Sequence, residues 1–530
     1  MKNRYLLLAL SCMAAFSACK DEVAFTPDYP LNVVVDSTLT VKIDASQTYQ
    51  TIDGFGASGA WTLDYIGKYW STSNKEGIAK ALFSSEIKDG QPQGIGLSQW
   101  RFNLGGGTSE QGDASEIEDK TRRGECFLNA NGSYTWNKSV GQQYFMEKAK
   151  EYGCDQFILF AGTPPVYYTK NGKGWSSSGE SANLKDDCYD DYADFLATVA
   201  QHFTDEGYNI SLISPVNEPE FDWTGGQEGS GWRNSEVARL AKELDAKLTE
   251  KGLANTKMLL AEAAKWYFLY ERGDAGNNRG DVIREYFDPS SSNYIGNLEH
   301  MPNIICGHSY WTDMTWNTLY DYRSKVHEAA KKYDLKVYQT EWSMMTEGYE
   351  DCPVYDESSY MDISLAMAKV MYHDLATANV SSWSYWTAAS QEQYSQKNRF
   401  YLIRLIPAGG DYGDIEENGT FSAGKNLWVL GNYSLFRPGY QRIGLTVPNQ
   451  NNQFFGTAYL SPEKDKLVIV YTNCTQKSIQ IENTFEGLGK EVGDYEQYTT
   501  SASKDLRKEP DYQKGLIPAR SVSTFVYTLK

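Results

Sequence analysis

Residues 210–215 form an apolar run that stops at Asn217-Glu218-Pro219. A carboxylic acid just beyond the end of a buried strand, followed by a rigid proline, is unfavourable to place unless it does chemistry. The plain alternative is an Asn-Glu pair capping a turn. A second ending of the same kind occurs at Gln339-Thr340-Glu341-Trp342, after a candidate strand at 336–340. Two opposed carboxylates can cleave a glycosidic bond: one protonates the leaving oxygen while the other attacks the anomeric carbon or activates water. Their separation sets the stereochemistry, about 5 to 5.5 Å for retention and about 6.5 to 9.5 Å for inversion. Glu220, Asp222 and Glu347 are neighbouring acids and Glu262, on the fifth strand, is a third candidate carboxylate, each read in preference as structural or merely solvated.

These two endings need elements that bring them face to face. Candidate strands fall at 51–56, 96–103, 155–161, 210–215, 257–262, 303–308, 336–340 and 381–386, and helical stretches such as 191–204, 234–251, 318–332 and 360–378 separate most of them. Eight strand–helix repeats are the number that closes an α/β (β/α)8 TIM barrel, whose active site lies at the C-terminal strand ends. A doubly wound open sheet is the competing reading. It calls for a phosphate-type glycine loop, and Gly105-Gly106-Gly107 lacks the GxGxxG spacing. The barrel's strand ends would present Gly54-Phe55-Gly56, Arg101 with Asn103, Thr163-Pro164-Pro165, Asn217-Glu218, Glu262, His308 with Tyr310, Glu341-Trp342, and Trp383 with Trp386. The fourth and seventh ends lie across the barrel mouth, so Glu218 and Glu341 would face each other over a substrate.

A small all-β module follows the barrel, with strand-like runs at 454–460, 466–472, 478–481, 495–500 and 521–529 after a helical stretch at 427–436. Alternating apolar residues from Val33 to Ile43 indicate one or two N-terminal strands with no local partner, and an unpaired edge is a liability. The expected organisation is a signal segment at 1–19, a linker at 20–30, N-terminal strands at 31–48, a catalytic barrel at 49–425 and the β side domain at 426–530. The N-terminal strands would join the side domain.

A net charge of −19 disfavours nucleic-acid partners and strongly anionic glycans, so a neutral polysaccharide fits better. The 14 Trp and 38 Tyr suit stacking on sugar rings, although most aromatic residues serve a core. Five His residues without HExxH spacing offer no metal-ligand set, and no metal or other cofactor is expected. Lys2 and Arg4, an apolar stretch to Phe16 and then Ser17-Ala18-Cys19 resemble a bacterial lipoprotein signal with Cys19 lipidated, the competing reading being an ordinary cleaved signal. Lys20-Asp21-Glu22 is similar to an export tag of surface lipoproteins. Together these imply an outer-membrane or cell-surface location, held only by a lipid anchor and beside glycan-uptake proteins, or else secretion or a periplasmic site. Six further cysteines are scattered without CxxC spacing, so no disulfide framework is read, and isolated pairs are left open.

Several motifs in chain order carry a family resemblance. Gln50-Thr51-Ile52-Asp53-Gly54-Phe55-Gly56-Ala57-Ser58, Trp100-Arg101-Phe102-Asn103, Thr163-Pro164-Pro165 with Lys170-Asn171-Gly172, Ser214-Pro215-Val216-Asn217-Glu218-Pro219, Cys306-Gly307-His308-Ser309-Tyr310, Gln339-Thr340-Glu341-Trp342 and Phe436-Arg437-Pro438-Gly439 resemble glycoside hydrolase family 30, of the retaining clan A. The resemblance implies Glu218 as general acid/base, Glu341 as nucleophile, Asn217 on the sugar 2-hydroxyl, and Arg101 and Tyr310 on Glu341. His308, Tyr167, Trp383 and Trp386 would wall the sugar pocket, or equally belong to the core. Thr163-Pro164-Pro165-Val166-Tyr167-Tyr168 departs from the Ser-Pro-Pro-then-Trp pattern of many members, which touches the pocket wall and not the catalytic pair. The Gly54-to-Trp61 and Gly307-to-Trp311 segments are most similar to the endo-β-1,6-galactanase branch. β-1,6-Glucanases, xylanases and other members share the catalytic residues, and a surface glycan-binding lipoprotein without catalysis is the alternative from another class.

Overall fold

The computed structural model describes residues 37–530 apart from 180, 277, 395–396 and 437–438. Cys19, the signal and linker at 1–30, residues 31–36 of the expected N-terminal strands, and Arg437 and Pro438 lie outside the described residues.

Eight parallel strands form one curled sheet: β1 (Gly54–Ser58), β2 (Gln99–Asn103), β3 (Gln156–Phe160), β4 (Ile210–Ser214), β5 (Lys257–Met258), β6 (Ile304–His308), β7 (Lys336–Glu341) and β8 (Val380–Tyr385). Their order is β5-β4-β3-β2-β1-β8-β7-β6, so chain neighbours are sheet neighbours throughout. β1, β2 and β8 are buried at every residue, as strands covered on both faces must be. The helices Tyr189–Asp205 and Asn234–Glu250 are amphipathic, whereas Tyr360–Ala376 is buried without a break from Ile363 to Leu375. In Tyr189–Asp205 the buried side chains Tyr192, Phe195, Leu196, Val199 and Phe203 recur at helical spacing.

The end strands β5 and β6 share no regular ladder. They are joined by the Ala263–Gly307 bridge and by bonds from His308 N to Ala263 O, 2.8 Å, and from Cys306 N to Leu260 O, 2.9 Å. The arrangement is consistent with a (β/α)8 barrel. The expected fifth strand at 257–262 keeps only Lys257–Met258 of its ladder, because the chain turns away before Glu262, which sits at φ 52°.

A second, nine-stranded sheet holds the C-terminal strands and Ser37–Thr51. Ser37–Thr51 runs antiparallel to Gln441–Thr446 and parallel to Ile479–Glu486, as one strand with two register shifts. Its core includes Val41, Ile43, Ile443, Ile469 and Phe525. The helix Lys425–Ser434 rests on this sheet, with Asn432 Nδ2 donating to Thr524 Oγ1 at 2.9 Å. A further three-stranded sheet, Ala389–Gln391, Ile403–Ile406 and Thr420–Ala423, follows β8 and was not expected. The six described cysteines are all unpaired. No helix among the described residues is long and apolar enough to cross a membrane.

Candidate active site

The C-terminal ends of β2, β4, β6 and β7, with the turn after β5, converge on one buried network. Arg101, on β2 and wholly buried, donates from Nη1 to Glu341 Oε1 at 2.8 Å and from Nη2 to Glu262 Oε1 at 3.2 Å. Tyr310, just past β6, donates its hydroxyl to Glu341 Oε2 at 3.2 Å. His308, the last residue of β6, lies between two carboxylates: Nδ1 is 2.8 Å from Glu218 Oε1 and Nε2 is 3.2 Å from Glu262 Oε2. Its Nδ1 is also 3.6 Å from Glu341 Oε2. Glu218, His308 and Glu341 each place one oxygen or nitrogen within 4.8 Å of the others, so the two carboxyl groups approach to less than that distance.

Local backbone explains why Glu218 reaches the centre. Its N–H donates to Glu262 O at 3.0 Å, and both residues adopt left-handed φ, 43° and 52°. That conformation costs a non-glycine residue roughly 1 to 3 kcal/mol and persists only where the surroundings enforce it. Trp223 Nε1 and Phe221 N both donate to Glu218 O at 3.0 Å, which fixes the turn from the other side.

The electrostatics separate these groups. Burial pushes the Glu218 carboxyl above the ordinary glutamate range, its hydrogen bond and charge contact with His308 opposing this only in part. Burial also acts to raise Glu262, but the charge of Arg101, the bond and charge of His308 and the Ser214 hydroxyl together hold it at about 2. Burial would discharge His308, yet the charge of Glu341 and bonds to Glu218 and Glu262 raise it to about 10. Arg101 is raised against the effect of burial by Glu262 and Glu341, so it remains a fixed cation. A protonated His308 donates from both ring nitrogens. The convergent Glu218, His308 and Glu341 atoms, the one set among the described residues that could hold a metal ion, are thus a donor facing acceptors.

A cavity of about 380 Å³ opens over the pair, a size suited to a small-molecule or sugar site. Asn217, Glu218, Tyr310, Glu341 and Trp386 line it. Asn217 Oδ1 is buried with no hydrogen-bond partner, an acceptor available at the cavity wall. Three of the four expected wall residues do not line it: His308 is fully buried between the Glu218 and Glu262 carboxyl groups, and two others lie elsewhere. Trp383 is fully buried and donates Nε1 to Asp374 of the helix Tyr360–Ala376 at 2.9 Å: on β8 its side chain points outward to the helix layer. Tyr167, in the short 3-10 helix Val166–Tyr168, packs against the core instead of lining the cavity.

Other residues at the site escaped the sequence reading. Trp61, beyond β1, meets Trp386 edge-on at 5.2 Å, and Phe160, the last residue of β3, stacks under the Arg101 guanidinium at 4.2 Å. Both follow from reading one residue class, aromatics, at every strand end. Glu262, read as structural or solvated, is entirely enclosed and bonded to Arg101, His308, Ser214 and Thr340. Buried Glu228 accepts from Thr108 Oγ1 at 2.6 Å, Gly106 N at 3.0 Å and Gly124 N at 3.3 Å, and burial pushes it up to about 7. It ties the loop at 222–233 to the loop after β2.

The model of O-glycosyl hydrolase family 30 matches residues 38–400. An endo-β-1,6-galactanase of Hypocrea rufa is 29% identical over 240 residues, 42% of this chain and 48% of that protein, so the match spans about half of the relative's length. Glucuronoxylanase XynC of Bacillus subtilis strain 168 is 24% identical over 509 residues, 93% of this chain and 92% of that one. Among solved structures, a conserved exported protein from Bacteroides fragilis superposes with a TM-score of 0.85 at 30% identity, covering 92% of this chain and 100% of that chain.

Proposed function

The chain belongs to O-glycosyl hydrolase family 30 and is a glycoside hydrolase, and from that premise we propose a retaining endo-β-glycosidase acting on a neutral polysaccharide, β-1,6-galactan first. The observation that supports the retaining mechanism is that one oxygen of Glu218 and one of Glu341 lie within 4.8 Å, nearer to the separation of about 5 to 5.5 Å in a retaining pair than to that of about 6.5 to 9.5 Å in an inverting one. Glu341 attacks the anomeric carbon, and Glu218, whose protonated form burial favours, gives its proton to the departing oxygen. Water then cleaves the glycosyl–Glu341 ester while Glu218, now a carboxylate, accepts its proton. Arg101 and Tyr310 hold Glu341 in line by hydrogen bonds, and Asn217 offers its unpaired Oδ1 to the sugar 2-hydroxyl.

The galactan preference is supported by the likeness to the Hypocrea rufa galactanase. A xylan-type substrate is the second reading, favoured by the longer match to the glucuronoxylanase. Incubation with arabinogalactan side chains, pustulan and xylan separates them, with oligosaccharides expected from the first. Release from xylan alone would sink the galactan reading. Export fits the same picture: the strand and barrel are proposed to follow a lipoprotein signal ending at Cys19, and the Bacteroides fragilis relative is described as exported. Loss of palmitate labelling in Cys19→Ala checks the lipid anchor.

A further inference from the structure

Phe221, Trp223 and Trp311 form one aromatic cluster that begins in the turn after Glu218 and ends against Tyr310, the hydroxyl partner of Glu341, which Trp311 meets at 5.7 Å. Phe221 meets Trp223 at 5.8 Å and 80°, and Trp311 at 5.7 Å and 83°, so its ring is perpendicular to both indoles. All three line the cavity. Trp311 is nevertheless 39% exposed. Both tryptophans have left-handed backbones, φ 50° at Trp223 and 54° at Trp311, a genuine outlier for so bulky a side chain. The contacts with Phe221 and Tyr310 leave part of the Trp311 indole in water, and such outliers gather where a ring's position has a use. Trp223 is held by its bond to Glu218 O, which couples the cluster to the acid's own turn. The ammonium of Lys265 lies 5.9 Å from the Phe221 ring centre and 5.6 Å from that of Trp311, a polar edge beside an apolar face.

The cleft therefore has two aromatic walls. Trp61 and Trp386 form one, the Trp386 backbone N–H donating at 3.0 Å to the carbonyl of Trp342, the residue after Glu341. Phe221, Trp223 and Trp311 form the other, which begins beside Glu218. A general acid protonates the oxygen shared with the departing group, so the wall beyond it faces that group. We infer that Trp311, set by Phe221 and Trp223, is the floor of the leaving-group subsite, where the apolar C–H face of a departing sugar ring stacks on the exposed indole. This rests on the retaining-glycosidase reading and deepens it: the site takes a sugar on both sides of the scissile bond. In the second half-reaction a sugar hydroxyl seated there competes with water. A new C1–O bond to that acceptor forms as the C1–Oε bond to Glu341 breaks, and the hydroxyl proton passes to Glu218.

The test reads this competition. Donors are the 4-nitrophenyl β-glycosides of β-1,6-galactobiose, gentiobiose and xylobiose, each with its free disaccharide added as acceptor. Nitrophenol reports total turnover, and mass spectrometry of lengthened oligosaccharides reports transfer. Trp311→Ala is expected to lower the ratio of transfer to hydrolysis about fivefold, and Trp311→Tyr to restore most of it. The ratio is internal to each reaction, so a smaller folded fraction does not mimic the effect. If Trp311→Ala is insoluble, Trp311→Leu, with bulk but no ring face, carries the same expectation. An unchanged ratio, or no transfer product from the unaltered protein at saturating acceptor, overturns the subsite and leaves the glycosidase standing. Nitrophenol from none of the donors overturns the glycosidase reading and the subsite with it.

Discussion

Glu218 and Glu262 sit at the ends of adjacent strands, share left-handed backbones and contact opposite nitrogens of one histidine, yet their environments tune them in opposite directions. Burial is common to both. The difference lies in the donors. Glu262 accepts from Arg101, Ser214, Thr340 and His308, so its charge is fully solvated by protein. Glu218 has His308 as its side-chain donor and otherwise faces the cavity. A buried carboxylate with four donors is a fixed anion, while one with a single donor is a group that can carry a proton. Position on a strand end therefore does not distinguish an acid from a structural anion; the count of donors does.

Substitutions can break that distinction. The largest effect is expected at the pair itself: Glu341→Ala should lose activity by at least about 10⁴-fold, with partial rescue by azide giving the inverted glycosyl azide. Glu218→Gln should lose about 10² to 10⁴-fold on polymer but far less on activated aryl glycosides, whose leaving groups need no proton. Because Glu218 is raised above its ordinary value of 4.5, the alkaline fall of kcat/KM on polymer should lie above that pH, and a profile that ends below it would contradict the tuning. Glu262 should instead govern stability. Glu262→Ala leaves Arg101 and His308 buried with one anion fewer and should cost about 3 to 5 kcal/mol in urea unfolding, against little for Glu218→Ala. Held at about 2, Glu262 stabilises the fold above its ordinary 4.5, and that contribution disappears as pH falls from 4.5 towards 2. Glu262→Gln should flatten acid unfolding in that window, and equal losses in Glu218 and Glu262 variants would erase the contrast. The smallest effect is Tyr310→Phe: removing one hydroxyl bond to Glu341 should lower kcat/KM about tenfold with the melting temperature unchanged.

Much of the site could be read from the chain because apolar runs end where strands end. Glu218, Glu341, Arg101 and His308 all sit within two strand positions or one turn of such an ending, and the structure brings them together. Trp383 and Trp386 show where that reading weakens. Both occupy the eighth ending, but period-two alternation turns Trp383 towards Asp374 while Trp386, past the strand, turns into the cleft. The enclosure of Glu262 was illegible for another reason: it depends on donors from β2, β4, β6 and β7 that meet only after the sheet curls. The left-handed positions at Trp223 and Trp311 are occupied by tryptophan itself, not by the glycine or asparagine that would announce them. The three-stranded sheet after β8 is equally silent, being built from strands of three or four residues.

The long strand Ser37–Thr51 pairs Ile43 with Leu445 on one edge and with Phe485 on the other. Loop closure over such a span is slow, and topology of this kind sets folding speed more than stability does. During synthesis this strand emerges ahead of the parallel sheet, and its two partners, Gln441–Thr446 and Ile479–Glu486, follow only after all eight parallel strands. The barrel segment is therefore expected to gain its structure before the nine-stranded sheet can be completed, with the docking of Ser37–Thr51 as the late, chain-sealing event.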